Sequence, residues 1–316
     1  MFLEELIERR LLVNMGKGGV GRSSISAALA CYAAERGKRV LVCEVNTKER
    51  MSHLLGGNKP ETFTEIEQIW QPRDNIWTVN IEPWTAMKEY VQQVLKMRLI
   101  YNIVFENPLM RYFLRAIPGL QDLVFIGKVW YHTTEKRRDG SPRFDLVIVD
   151  APATGHGIAM LRIPFVVTNT VPVGPMYKAA QQIKDLLTDS KKTSINLITL
   201  PEEMPVNETI ELHQTVKEKL KLPLGGLFLN QWPKGAYSNQ NKSSFEKFLK
   251  AGIQDEKGWP LFTAAQAADT IVSKAERHFN RLQEALSLPI CKIPRLPVEE
   301  LQDGFSLIQE LTKKLD

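Results

Sequence analysis

The chain has very little cysteine. Cys31, Cys43 and Cys291 are the three cysteines among 316 residues, and none belongs to a Cys-x-x-Cys pair or a Cys/His cluster. This spacing argues against a disulfide-stabilised fold and against a structural zinc site, and it is typical of a reducing compartment. Cys31 and Cys43 stand within apolar runs, so we expect them to be small core residues.

The sequence also lacks a long apolar segment. No stretch has the length of charge-free apolar residues that a membrane span requires. The first ten residues, MFLEELIERR, carry acids where a secretory signal peptide carries basic residues. We therefore expect a cytoplasmic protein with no integral membrane segment.

A block of basic residues is absent as well. Lys and Arg number 41 against 36 Asp and Glu, and the net charge of +5 is spread along the chain. Nucleic-acid-binding surfaces usually show as clustered Lys and Arg. We therefore expect no nucleic-acid partner.

What the chain does contain is an alternation of buried-strand and helical patterns. A short apolar run at residues 11–14 leads into a glycine-rich loop, then the helical segment SISAALACYAAERGK and the apolar run RVLVCEV. Further strand patterns are DLVIVD, INLITLPEE, LPLGGLFLNQW and ALSLPICKIPRLP. Alternating strands and helices predict an α/β fold of three layers, with a mainly parallel sheet between helices. We expect one domain over residues 1–316, with a mainly helical insertion at about 57–139, where aromatic and methionine residues are frequent.

The glycine-rich loop predicts a phosphate site. Glycines allow backbone N–H groups to converge on an anion, and the helix that follows adds its positive N-terminal end. Ser23 stands where the hydroxyl of such a loop binds Mg²⁺. The predicted phosphate-binding residues are Gly16, Lys17, Gly18, Gly19, Val20, Gly21, Arg22, Ser23 and Ser24.

A second acidic element supports the phosphate site. The apolar run DLVIVD ends on Asp150, and a carboxylate at the end of such a strand is typical of P-loop folds that hold Mg²⁺ opposite the loop. We expect Asp150 to lie on the metal side. Asp145, at the start of the run, is expected to be a surface cap.

Several motifs together resemble one family. The loop GKGGVGRSS, with lysine directly after the first glycine, resembles the deviant Walker A motif of the MinD, NifH and ArsA class. The segment DAPATGHGIAMLR is similar to switch II of the ArsA and tail-anchored-protein-targeting ATPases. The segments VPVGPMYKAAQQIKDLLTD, TLPEEMPVNETIEL and LFLNQ follow in that family's order. The resemblance is weakest across the helical insertion.

The resemblance implies a P-loop ATPase that dimerises with ATP and Mg²⁺ at the interface. By this match, Lys17 is the signature lysine that reaches the partner's phosphates. Thr154, Gly155 and His156 belong to switch II, and Asn230 is the asparagine that recognises adenine. Metalloid-pump members bind arsenite through cysteines in the inserted region. This chain has none there, so arsenite transport is disfavoured.

Two positions depart from the family pattern. Arg22 replaces the lysine that reaches the β- and γ-phosphates, and its planar guanidinium has a different donor geometry. Asn46 aligns with the catalytic aspartate of switch I, and an amide cannot accept a proton as a carboxylate does. Glu44 and Glu49 are the nearest acids in sequence.

These departures leave the function open between two readings. The first is a nucleotide-switched dimeric ATPase with impaired hydrolysis, which handles an anionic or hydrophobic client. The second is a non-catalytic regulatory subunit that supplies Lys17 in trans to an intact ArsA-like paralogue. A positioning protein like MinD or ParA is a third reading. It is disfavoured because LIQELTKKLD is a poor membrane anchor.

Overall fold

The structure of the protein is a computed structural model. It describes residues 2–45, 50–57, 68–95, 117, 119–235, 258–297 and 303–315.

The centre of the fold is an eight-stranded sheet in the order β3-β4-β2-β5-β1-β6-β7-β8. All adjacent pairs are parallel except β3 and β4, which run antiparallel. The strands are β1 (Leu11–Met15), β2 (Val40–Val45), β3 (Ile69–Arg73), β4 (Ile76–Ile81), β5 (Leu146–Asp150), β6 (Thr193–Thr199), β7 (Leu224–Trp232) and β8 (Ile290–Pro294). The prediction of a mainly parallel α/β sheet is confirmed.

Helices follow most strands and cover the sheet. They are α1 (Phe2–Ile7), α2 (Arg22–Glu35), α3 (Met51–Leu54), α4 (Pro83–Leu95), α5 (Leu120–Thr134), α6 (Thr154–Thr170), α7 (Pro175–Thr188), α8 (Glu203–Gln214), α9 (Gly258–Ala285) and α10 (Gly304–Leu315). A π-helical turn, Thr215–Leu220, continues α8. Among the described residues, no helix is both long and apolar enough to span a membrane.

Two hydrophobic clusters lie on opposite faces of the sheet. Neighbouring residues of β1 alternate between them: Leu11 and Val13 belong to one cluster and Leu12 to the other. Side chains along a strand point alternately to its two faces, so a continuous apolar run requires cover on both sides. The expected three layers are therefore present. Cys31 and Cys43 are buried in these clusters, as expected.

The region expected to be a mainly helical insertion contains strands at residues 69–81. These residues form β3 and β4, and β4 pairs in parallel with β2, so this part extends the main sheet and is not helical. The alternating, β-branched pattern of IWTVNI suits a strand, and pairing with β2 gives its buried side chains a core. The regions 83–95 and 120–134 are helical. Residues 58–67, 96–116 and 118 lie outside the described part.

The topology brings the predicted site to one edge of the sheet. β1 lies between β5 and β6, and Asn14 is level with both Asp150 and Asn196. The carboxyl ends of these parallel strands therefore open at the same edge, where ligands of open α/β sheets bind.

Candidate nucleotide-binding site

The glycine-rich loop connects β1 to the N-terminus of α2. Gly19 and Gly21 have φ values of 86° and 90°, in the left-handed region that favours glycine, and Gly21 directly precedes the helix. Gly18 and Gly19 are exposed, whereas Gly16 and Val20 are buried. The loop thus presents backbone and the helix N-terminus at the carboxyl edge of the sheet.

Two glycines of the loop have no room for a side chain. A Cβ at Gly16 would overlap the carbonyl oxygen of Ile198 on β6, and one at Gly21 would overlap the amide nitrogen of Asn230 on β7. A Cβ at Gly18 would meet no atom within 4 Å. The path of the loop is therefore fixed by close approaches to β6 and β7, while its outer part stays open.

We expect Gly16→Ala to destabilise the protein by about 1–3 kcal/mol, because the loop or β6 must move to admit the methyl group. Gly18→Ala is the matched control, with an expected change within about 0.5 kcal/mol. Chemical denaturation of both variants measures the difference. Equal stability of the two would show that the loop does not pack against Ile198 in solution.

Ser23 and Asp150 lie together beneath the loop. The Ser23 hydroxyl donates a 2.6 Å hydrogen bond to Asp150 Oδ2. The other carboxylate oxygen, Oδ1, is buried and has no hydrogen-bond partner among the described residues. Burial raises the pKa of Asp150, and the Ser23 hydrogen bond, the charge of Arg22 and the nearby Ser26 hydroxyl oppose that rise. A half-satisfied buried carboxylate beside a hydroxyl is an arrangement that a cation would complete.

Arg22 points toward the end of β5. Its Nη1 donates to the carbonyl oxygen of Ala151, the residue after Asp150, at 2.5 Å. Burial lowers the pKa of the guanidinium, the Asp150 carboxylate raises it, and the neighbouring charge of Arg50 lowers it. In this arrangement the guanidinium links the start of α2 to the residue that follows β5.

Lys17 forms an ion pair within its own chain. Its ammonium donates to Glu208 Oε1 on α8 at 2.6 Å. Both side chains are about one-third exposed, at 31% for Lys17 and 34% for Glu208. The predicted signature lysine is therefore partly accessible and already paired.

The predicted switch II residues begin α6. His156 and Gly155 are exposed. The Thr154 hydroxyl is buried and has no partner among the described residues. The first turn of α6 thus offers one unsatisfied polar atom and an accessible imidazole close in sequence to Asp150.

Asn230 lies at the loop, where it supports the backbone. Its Nδ2 donates to the carbonyl of Val20 at 2.9 Å, and its Oδ1 accepts the N–H of Gln231 at 2.9 Å. The residue is 5% exposed. In this structure its amide braces the glycine-rich loop against β7, and its role in adenine recognition stays a prediction.

The structure describes the residues on either side of the predicted switch I position, but not that position itself. Asn46 and Glu49 lie outside the described residues. Glu44, the other nearby acid, is 2% exposed, and its carboxylate accepts the N–H groups of Arg50 at 3.3 Å and Met51 at 3.1 Å. Glu44 therefore anchors the backbone where α3 begins.

The sequence did not predict a buried hydrogen-bond network beneath the loop, formed by Asn14, Ser26 and Asn196. Asn14 donates to the Ser26 hydroxyl on α2 at 2.9 Å and accepts from Asn196 on β6 at 3.0 Å. The network fixes α2 against two strands of the sheet. An asparagine within the apolar run LLVNM is the signal that could have revealed it, because buried polar side chains require partners.

Comparison with known proteins identifies the family of the chain. Residues 9–173 match the family model of the anion-transporting ATPases, the ArsA ATPases. The chain belongs to this family.

Relatives of this ArsA-family chain extend over most of its length. It is 27% identical to the ATPase BagA of Mycobacterium tuberculosis, over 97% of this chain and 92% of that protein. It is 25% identical to a putative arsenical pump-driving ATPase of Prosthecochloris vibrioformis, over 64% of this chain and 56% of that protein. It is 22% identical to the ATPase GET3 of Kluyveromyces lactis, over 63% of this chain and 65% of that protein.

Proposed function

We propose that the chain binds ATP with Mg²⁺ at the β1–α2 loop and acts as a nucleotide-switched, dimeric ATPase. The observation that carries this proposal is the 2.6 Å contact between Ser23 and Asp150 beneath the glycine loop. It joins a hydroxyl and a carboxylate from elements 127 residues apart in sequence. Membership of the ArsA family supports the same activity.

The donor atoms suit Mg²⁺. This ion prefers oxygen ligands, and the site offers the Ser23 hydroxyl and an Asp150 carboxylate with one unpartnered oxygen. When bound, Mg²⁺ would neutralise charge on the β- and γ-phosphates. Ser23 and Asp150 would hold it from the loop and from β5.

The chain's own residues would divide the remaining work. The backbone from Gly16 to Ser24 would hold the phosphates, and Lys17 would stabilise negative charge on them, in the partner's site by family resemblance. Switch II, from Asp150 to His156, leads directly into α6. A nucleotide-dependent change at Asp150 would therefore move the start of that helix.

Exposed apolar side chains on and near α6 and α7 support a hydrophobic client. Val166 is 41% exposed, Val173 78% and Met176 47%. They follow switch II in the chain, so a change at Asp150 could alter how this surface is presented. Two apolar residues of the inserted region, Trp84 and Met87, lie on α4, and residues 96–116 and 118 of that region lie outside the described part.

Native mass spectrometry of the purified chain tests the proposal. We expect ATP and Mg²⁺ together to convert monomers into dimers that carry two nucleotides. Ser23→Ala should weaken this conversion, because the loop loses its metal-side hydroxyl. Absence of bound nucleotide at saturating ATP and Mg²⁺ would contradict the proposal.

A non-catalytic partner subunit is the second candidate, and the orientation of Arg22 favours it. The guanidinium donates through Nη1 to the Ala151 carbonyl, so part of its donor capacity is already used at the end of β5. In this reading the chain would supply Lys17 to an intact ArsA-like paralogue. Such a subunit would bind ATP without turning it over alone, and would form heterodimers in preference to homodimers.

A further inference from the structure

The contact between Lys17 and Glu208 follows from the topology of the sheet. β1 and β6 are neighbours, with Met15 level with Leu197. Gly16 then packs against the carbonyl of Ile198, so the phosphate loop leaves β1 beside the segment that follows β6. That segment leads into α8, which carries Glu208. The sheet therefore brings Lys17 and Glu208 together across 191 residues of sequence.

This pairing conflicts with the task of a phosphate loop. The loop attracts anions through its N–H groups and the helix N-terminus, and Lys17 adds a positive charge that would reach the phosphates bound in the partner's site. Glu208 Oε1, at 2.6 Å from the ammonium, places a carboxylate beside that charge. A nucleotide phosphate and the carboxylate therefore compete for the same cation.

We propose that Glu208 is a positioning residue that holds Lys17 in the nucleotide-free chain, so that ATP must displace the carboxylate to engage this lysine. The proposal rests on the proposed function, because it assigns Lys17 to nucleotide phosphate. It adds a residue on α8 that sets the affinity for ATP through its contact with Lys17.

Partial exposure of the pair limits the size of the effect. Both side chains are about one-third exposed, and exposed ion pairs contribute little because water and salt screen them. Releasing the lysine should therefore tighten ATP binding by about two- to fivefold. An ion pair of this strength lets a nucleotide phosphate, with its higher charge, displace Glu208 from Lys17. Without nucleotide, the Lys17–Glu208 pair remains favoured.

Zero-length carbodiimide cross-linking of the full chain tests the pair directly. This reagent joins a lysine to a carboxylate in contact with it, and mass spectrometry quantifies the Lys17–Glu208 product. We expect the product without nucleotide and a clear loss of yield at saturating ATP and Mg²⁺. The Lys38–Glu8 pair, 2.7 Å apart, precedes the amino end of β2 and so lies at the edge of the sheet opposite the glycine-rich loop. It is the internal reference, and its cross-link yield should stay constant.

Calorimetric ATP titrations give the second measurement. Glu208→Gln should bind ATP about two- to fivefold more tightly than the wild type. Glu211→Gln removes the same charge from an exposed position one turn along α8 and should leave the affinity unchanged. In a Lys17→Ala background, Glu208→Gln should give no gain.

The outcomes separate this inference from the proposed function. If the wild type binds ATP but the cross-link yield does not fall, the inference is wrong and the proposed function stands. A gain that persists without Lys17, or one that Glu211→Gln reproduces, also overturns it. If the cross-link forms and no ATP binds at any concentration, the proposed function fails and the assignment of Glu208 fails with it.

Discussion

Asp150→Asn is expected to remove most of the contribution of Mg²⁺ to ATP affinity. The carboxylate is the acidic member of the Ser23–Asp150 pair, and its Oδ1 has no partner among the described residues. An amide carries no charge and binds Mg²⁺ poorly. Loss of a residue that holds or orients a metal typically weakens metal binding by about 10- to 100-fold. Titrations with Mg²⁺ and with a chelator measure the difference, and the affinity without Mg²⁺ should change little.

The same titrations should depend on pH in a defined direction. Burial raises the pKa of Asp150, so its carboxyl takes up a proton at a higher pH than an ordinary aspartate, whose pKa is about 3.9. The protonated form cannot hold a cation. The Mg²⁺-dependent gain should therefore be lost on acidification while ordinary aspartates are still ionised, and Asp150→Asn should abolish this pH dependence.

Asp145→Asn is the matched control from the other end of the same strand. Hydrogen bonds from Arg39 hold the pKa of Asp145 below its usual range. The charged form of Asp145 therefore stabilises the fold above the ordinary pKa, and this contribution is lost as pH falls through the lowered value. The variant should lower stability near neutral pH and leave the Mg²⁺ dependence intact. An equal loss of that dependence in both variants would contradict a metal site at Asp150.

The strands and the loop could be predicted because their information is local. A buried parallel strand reads as a continuous apolar run, and the segments around Val13, Val42 and Ile148 do so. The spacing of GKGGVGRSS places Ser23 in the first turn of the helix. The parallel arrangement then brings the carboxyl end of β5 to the same edge. The approach of Ser23 to Asp150 follows from these rules.

The remaining features depend on contacts between distant segments. Nothing near Glu208 distinguishes it from Glu202, Glu203 or Glu211, and only the adjacency of β1 and β6 brings it to Lys17. The strands at 69–81 were not predicted, because the aromatic residues and the helical patterns on either side indicated a mainly helical region. The pairing of β4 with β2 is a contact between distant segments, which the pattern around residues 69–81 does not reveal by itself.

The double substitution Arg22→Lys with Asn46→Asp is expected to raise the rate of ATP hydrolysis by at least about 100-fold. A positioned general base contributes about 10²- to 10⁴-fold to a rate, and Asn46 aligns with the acid that this family uses. Asn46 lies outside the described residues, so its part in the prediction comes from sequence. Arg22 is included because its guanidinium donates to the Ala151 carbonyl. The compact ammonium of lysine has a different donor geometry, so we expect this bond to be released.

The single substitutions should fall well short of the pair. With Arg22→Lys alone, the phosphates gain a compact ammonium but the attacking water still lacks a base. With Asn46→Asp alone, a base is present while the guanidinium remains held at Ala151. Residues that act as one catalytic unit are non-additive, so the gain should appear mainly in the double variant.

Arg50→Lys provides the control for this experiment. Arg50 is exposed, and its charge acts on both Arg22 and Asp150, so this exchange repeats the chemistry of Arg22→Lys outside the loop. It should leave turnover unchanged within about twofold, because lysine keeps the positive charge at this position. Steady-state phosphate release at saturating ATP and Mg²⁺ measures all four variants. A wild type that hydrolyses ATP as fast as the double variant would show that Arg22 and Asn46 do not limit catalysis, and would leave the non-catalytic reading without support.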